Sequence, residues 1–203
     1  MHGFNLPLIP GTLQWRNDPV DTQVEDEKIL IITAGETTDW FIDPDGTFAR
    51  DNTPSALFIP PDDYFLLSAK VGVNFGSTYD AGVLQIFIRP DLGAKLCFEY
   101  SPQQQPMVVS VVTRGVSDDC NSVLIDGQEV YLRIFKKGTA FAFHYSLDGK
   151  YWHFVRYFSL GEFDSQDLRV GFLAQSPTGQ KCTASFSEIS YRQGSLKDLR
   201  NGE

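Results

Sequence analysis

From Val130 to Gln175 the chain changes side-chain character at every second residue in four successive runs: 130–135, 140–145, 152–158 and 168–175. Lys137-Gly138, Asp148-Gly149 and the loop Gly161-Glu162-Phe163-Asp164-Ser165 separate them. A period of two places alternate side chains on opposite faces of a strand and is incompatible with a helix. The intervening Gly doublets supply the positive φ that tight hairpins need. These runs therefore predict consecutive antiparallel strands.

The same signature recurs at 13–16, 29–33, 56–59, 64–74, 82–89, 94–100, 107–113, 122–125 and 183–191. No intervening segment has the length and period of a crossover helix, so the expectation is an all-β sandwich of two antiparallel sheets. A chain of 203 residues fits one such domain, 1–203. Its core is expected over about 11–192, and the polar tail Gln193–Glu203 as a frayed end or one short helix. The longest loop, Ala34–Ser55, holds the turn Asp43-Pro44-Asp45-Gly46, and loops of that length are uncommon unless they have a role.

Sixteen Phe, eight Tyr and three Trp imply an aromatic core, while a net charge of −9 argues against nucleic acid or an anionic membrane as partner. No run of eighteen apolar residues occurs, and Met1–Gly11 lacks the basic start of a secretory signal. Cys97, Cys120 and Cys182 show neither metal-ligand nor disulfide spacing. Free thiols in a cytoplasmic protein are the expectation.

Parity assigns Phe65, Leu67, Ala69, Val71, Val73, Leu84, Ile86, Ile88, Leu96, Phe98, Val130, Leu132, Ile134, Phe141, Phe143, Val170 and Phe172 to the core. The opposite parity holds Lys70, Gln85, Glu99, Arg133, His144 and Gln175. These are either an ordinary solvated face or the lining of a groove. Tyr131 and Phe135 flank Arg133, and Ala140 and Ala142 leave space beside His144. A groove of aromatic, amide, Arg and His groups suits a carbohydrate or another polar small molecule. Parity does not say which sheet a strand joins.

Six short signatures follow one another in order: Thr38-Asp39-Trp40; Tyr79-Asp80-Ala81-Gly82; Phe98-Glu99-Tyr100; Ser110-Val111-Val112-Thr113 with Ser117-Asp118; Tyr145-Ser146-Leu147-Asp148-Gly149 with Trp152 and Arg156; and Val170-Gly171-Phe172 to Ser176-Pro177. Together they resemble the little-characterised family that includes the fungal regulator-of-enolase protein, from about Trp15 to Tyr191. The resemblance implies a concanavalin-A-like jelly-roll sandwich whose concave sheet carries the usual ligand site. It brings no agreed catalytic residues. Where relatives tend to have a Trp after Ser-Asp, this chain has Asp119-Cys120, which removes an aromatic from that loop.

Chemical motifs are sparse. No strand carries the alternating acids of a glucanase, and no Gly-x-Ser-x-Gly elbow is present. His144 has no second ligand at metal spacing, and Asp43-Pro44-Asp45-Gly46 lacks the further oxygens of a calcium loop. No catalytic residue, metal or cofactor is expected. Asp39, Trp40, Arg50 and Asp51 form either a functional loop or an Arg–carboxylate brace, and Trp152 belongs to the core or to an exposed surface. The expected function is non-catalytic binding of a carbohydrate or similar polar metabolite. Its candidate contacts are Trp40, Arg50, Tyr79, Asp80, Gln85, Glu99, Arg133, His144, Arg156 and Gln175. The alternatives are a regulatory module acting on a metabolic enzyme, as the fungal relative's name suggests, and a cryptic carbohydrate-active enzyme using Glu99.

Overall fold

The alternating runs fold as sixteen strands in the computed structural model, which describes residues 3–203. In chain order they are β1 (Gln14–Arg16), β2 (Asp21–Glu25), β3 (Ile29–Gly35), β4 (Trp40–Ile42), β5 (Ala49–Asp51), β6 (Ser55–Phe58), β7 (Tyr64–Asn74) and β8 (Ala81–Arg89). Then follow β9 (Leu92–Tyr100), β10 (Pro106–Arg114), β11 (Val116–Leu124), β12 (Glu129–Lys137), β13 (Ala140–Ser146), β14 (His153–Ser159), β15 (Arg169–Gln175) and β16 (Lys181–Gln193). The helical content among the described residues is one 3-10 turn, Ser165–Asp167.

Two seven-stranded sheets result. The first runs β1-β6-β15-β8-β9-β10-β11, the second β14-β13-β12-β7-β16-β3-β2, and every strand pairing is antiparallel. Every residue assigned to the core by parity lies between these sheets. Phe172 of the first meets Phe186 of the second with ring centroids 5.1 Å apart. The expected hairpin turns hold, with Gly138 at φ 58° and Gly149 at φ 71°. Asp148 fixes the latter by accepting the Lys150 and Tyr151 amides at 2.8 Å each.

Three regions differ from the sequence expectation. The long loop contains the ribbon β4–β5, whose three-residue strands are too short for periodicity to show. β11 begins at Val116, well before 122, and β2 has a largely exposed pattern that lacks a core-facing alternation. The C-terminal tail is neither frayed nor helical: Leu196 and Leu199 pack on Leu66, Phe135 and Ala142 on the outer face of the second sheet.

Candidate functional site

Strand order decides which polar residues meet. In the first sheet Lys95 pairs with Gln85 and Val111, Cys97 with Val83 and Val109, and Glu99 with Ala81 and Met107. Gln175 also pairs with Ala81, and Asp119 with Val111. On β8, β9, β10 and β15 these face away from the core because their neighbours along each strand face into it, and Asp119 lies across from Val111 on the edge strand β11. The middle of this outer face is an apolar patch of Val83, Cys97, Val109, Val111 and Leu173.

The ribbon β4–β5 roofs that patch. Trp40 anchors it: the side chain is 1% exposed and its indole N–H donates to the Pro90 carbonyl at 2.9 Å. A Cβ on Gly93 would come within 2.6 Å of the Trp40 ring, so the ribbon sits this low because position 93 lacks a side chain. Phe41 packs on the apolar patch and stacks on Phe48, 5.8 Å between centroids. The Ile42 amide donates to Ser117 Oγ at 3.0 Å, and Thr38 bridges to Ser176. Between roof and sheet lies a cavity of about 420 Å³. Phe41, Phe48, Val109 and Val111 supply its apolar wall, and Asp39, Arg50, Tyr79, Lys95, Glu99 and Gln175 its polar one.

Lys95 is the electrostatic centre. Its ammonium, 2% exposed, donates to Asp39 Oδ1 at 3.2 Å and to Gln175 Oε1 at 2.9 Å. Burial disfavours its charge, but the adjacent Asp39 carboxylate favours it, and its pKa stays above the usual lysine value. The Gln175 amide N–H donates to the Tyr79 carbonyl at 3.1 Å, which leaves Gln175 fixed at both ends. Glu99 differs: it lines the same cavity, is 8% exposed and has no hydrogen-bond partner among the described residues. Burial pushes its carboxyl up to about 8; Lys95 opposes this, while Asp39 and Asp119 add to it. Near neutral pH Glu99 is thus largely a protonated, uncommitted donor. Burial also raises the Cys97 thiol far above its usual range, which makes it inert. Among the described residues no group of three or more His, Cys, Asp and Glu side chains is placed to hold a metal.

Arg50, Tyr79, Glu99 and Gln175 thus share the cavity, Arg50 donating to the Pro177 carbonyl at 3.0 Å. Trp40 is the roof's anchor, and its ring is not on the cavity wall. Gln85 lies on the correct face but is fully buried beside Lys95, with both amide atoms unpartnered. Asp80 is a loop brace: it accepts the Gly76 and Ser77 amides at 2.9 and 2.8 Å and the Ser176 hydroxyl at 2.7 Å. Arg156 joins the two sheets at their edges through an ion pair with Asp118 at 3.1 Å.

Arg133 and His144 do not share the groove with Glu99 and Gln175, because β12 and β13 belong to the second sheet. There the C-terminal tail covers them, Arg133 donating to the Gly202 carbonyl at 2.9 Å and His144 Nε2 lying 2.7 Å from the Leu199 carbonyl. Trp152 is on that outer surface too, half-buried beneath the Arg133 guanidinium at 4.2 Å. Of the two alternatives for Asp39, Trp40, Arg50 and Asp51, no Arg50–carboxylate pair forms among the described residues; Arg16 pairs with Asp51 and Lys95 with Asp39. Lys95 escaped the sequence reading although it shares the parity of Cys97 and Glu99, the signal that marked both. A wider hollow of about 640 Å³ on the second sheet, lined by Gly72, Asn74, Thr183 and Ser185, brings no set of charges together.

Solved structures share this fold. A functionally unknown protein from Saccharomyces cerevisiae superposes with TM-score 0.79 at 23% identity, over 91% of this chain and 97% of its own. A xylan β-1,4-xylosidase from Bacillus halodurans matches with TM-score 0.69 at 15% identity, over 89% of this chain but 37% of its own length. The alginate lyase from Klebsiella pneumoniae matches with TM-score 0.56 at 13% identity, over 86% of this chain and 84% of its own. Curated proteins show no significant match. The two-sheet architecture is the jelly-roll sandwich of concanavalin-A-like proteins. The profile described as "Protein of unknown function (DUF1349)" aligns with residues 15–194, nearly the whole sandwich, and the chain belongs to that family.

Proposed function

We propose that this chain is a non-catalytic binding protein whose roofed cavity holds a carbohydrate or similar polar metabolite. The observation that carries this is the pairing of an uncommitted buried carboxyl, Glu99, with the fixed Lys95–Asp39–Gln175 network over an apolar floor. A sugar presents hydroxyls on its edges and C–H groups on its faces, which matches polar walls beside Phe41, Phe48 and Tyr79. The volume of about 420 Å³ is in the range of small-molecule sites. Two structural neighbours are, by name, a xylosidase and an alginate lyase, which points the ligand search toward saccharides. Turnover by paired carboxylates is less favoured, because Asp39 is committed to Lys95 while Asp119 sits at the exposed rim.

Three free cysteines fit a reducing cytoplasm, and no helix among the described residues is long and apolar enough to cross a membrane. A regulatory contact with a metabolic enzyme is the competing reading, and no residue of the cavity speaks for it. A thermal-shift screen of neutral sugars, sugar acids and polyols tests the proposal. A saturable hit weakened in both Tyr79→Ala and Glu99→Gln is expected. A flat response across the panel refutes it.

A further inference from the structure

The second sheet holds a separate cluster of charge. On its outer face Arg133, Ser68 and Ser190 stand in one row across β12, β7 and β16, with Arg192 two residues further along β16 on the same face. They border a hollow of about 390 Å³ that Trp152 and Lys150 also line. Arg133 is 4% exposed, yet its Nε has no partner, and its guanidinium donates to the Gly202 carbonyl of the tail. Six side-chain ion pairs occur among the described residues, and none involves Arg133, Arg192 or Lys150. In a chain of net charge −9 the Arg133 and Arg192 guanidiniums therefore stand without a direct ion-pair partner.

Asp148 and Glu188 border the same hollow, Asp148 facing the Lys150 charge, and neither forms an ion pair with Arg133 or Arg192. Asp148 accepts two backbone amides and the Ser146 hydroxyl, and Glu188 accepts the Tyr131 hydroxyl at 2.8 Å. Burial, and then the neighbouring Arg192 charge, hold the Arg133 guanidinium below its ordinary value, at about 10. No carboxylate offsets either effect. We infer that this hollow binds an oxyanion group, phosphate or carboxylate, through the Arg133 and Arg192 guanidiniums, with the Ser68 and Ser190 hydroxyls as further donors. A planar guanidinium fork matches such an anion, and the Trp152 ring holds Arg133 in place for it. The site is independent of the saccharide cavity, which lies on the other sheet.

Titration calorimetry at low ionic strength with inorganic phosphate, and in a second arm malonate, tests this on the full chain. Saturable binding of at least one probe at a single site is expected, and the stronger arm identifies the chemistry. Arg192→Gln, an exposed position with no hydrogen bond to lose, is expected to weaken binding at least tenfold, while Lys28→Gln leaves it within twofold. Arg133→Gln should act in the same direction, but it also releases a contact to the tail, so Arg192→Gln is decisive. The inference is overturned if neither probe saturates, or if Arg192→Gln binds as wild type does.

Discussion

Replacing Lys95 by methionine keeps most of the buried stem and removes only the ammonium, so it isolates the electrostatic centre of the cavity. Two hydrogen bonds disappear, one to Asp39 at 3.2 Å and one to Gln175 at 2.9 Å. Charge-assisted bonds contribute about 1.5–3 kcal/mol each. The Asp39 side chain is 11% exposed, so its carboxylate is left largely desolvated without a cation, the situation in which breaking a buried pair costs about 3–5 kcal/mol. The expected destabilisation of Lys95→Met is therefore about 3–5 kcal/mol. For a domain of this size that lowers Tm by roughly 6–20 °C. Adding Asp39→Asn removes the stranded charge, and the double variant should recover to within about 2 kcal/mol of wild type. Urea unfolding, with an unchanged m-value, and calorimetry provide the readout. A loss below about 1 kcal/mol for Lys95→Met, or no recovery in the double variant, refutes a buried, mutually dependent pair.

Glu99 and His144 give opposite pH signatures. Glu99 has a folded pKa of about 8, raised by burial above its ordinary carboxyl value, so the folded state holds a proton that the unfolded state has lost. Stability from this group falls as pH rises from about 4.5 to 8 and is flat above, and Glu99→Gln should abolish that slope in urea midpoints measured across the range. His144 is held at about 4, first by burial, with the Leu199 carbonyl opposing and Arg133 assisting. Here the unfolded state takes up the proton first, so stability is intact above about 6.5 and falls as pH drops toward 4. Removing residues 195–203 uncovers the ring, and its NMR titration should move back toward the ordinary histidine value; an unmoved titration would mean that the tail does not bury it.

Parity was sufficient for the core because Phe65 to Val73 and their counterparts alternate over long strands with one face sealed. It also marked Gln85, Glu99 and Gln175 for one face, and the register joins them. Arg133 and His144 satisfied the same local rule, but sheet membership depends on how β7, β12 and β16 pair over long sequence separations, which no local pattern encodes. The roof was hidden for another reason. β4 and β5 are three residues each, and their position depends on the absence of a side chain at Gly93, far from Trp40 in sequence. Asp80 entered the candidate contacts as part of the signature Tyr79-Asp80-Ala81-Gly82; its three acceptor bonds show a loop brace. Tyr79 itself reaches the cavity through a backbone at φ 70°, which no strand-based parity foretells.

The measurement that bears most directly on the proposed site is a paired titration of one uncharged saccharide hit, which carries no oxyanion for the second-sheet hollow, against wild type, Tyr79→Ala and Arg133→Gln. Tyr79 lines the cavity of the first sheet, and Arg133 lies on the opposite face of the sandwich. Affinity lowered at least tenfold in Tyr79→Ala and unchanged within twofold in Arg133→Gln is the expected result. Binding that survives Tyr79→Ala but is lost in Arg133→Gln would contradict it and move the site to the second sheet.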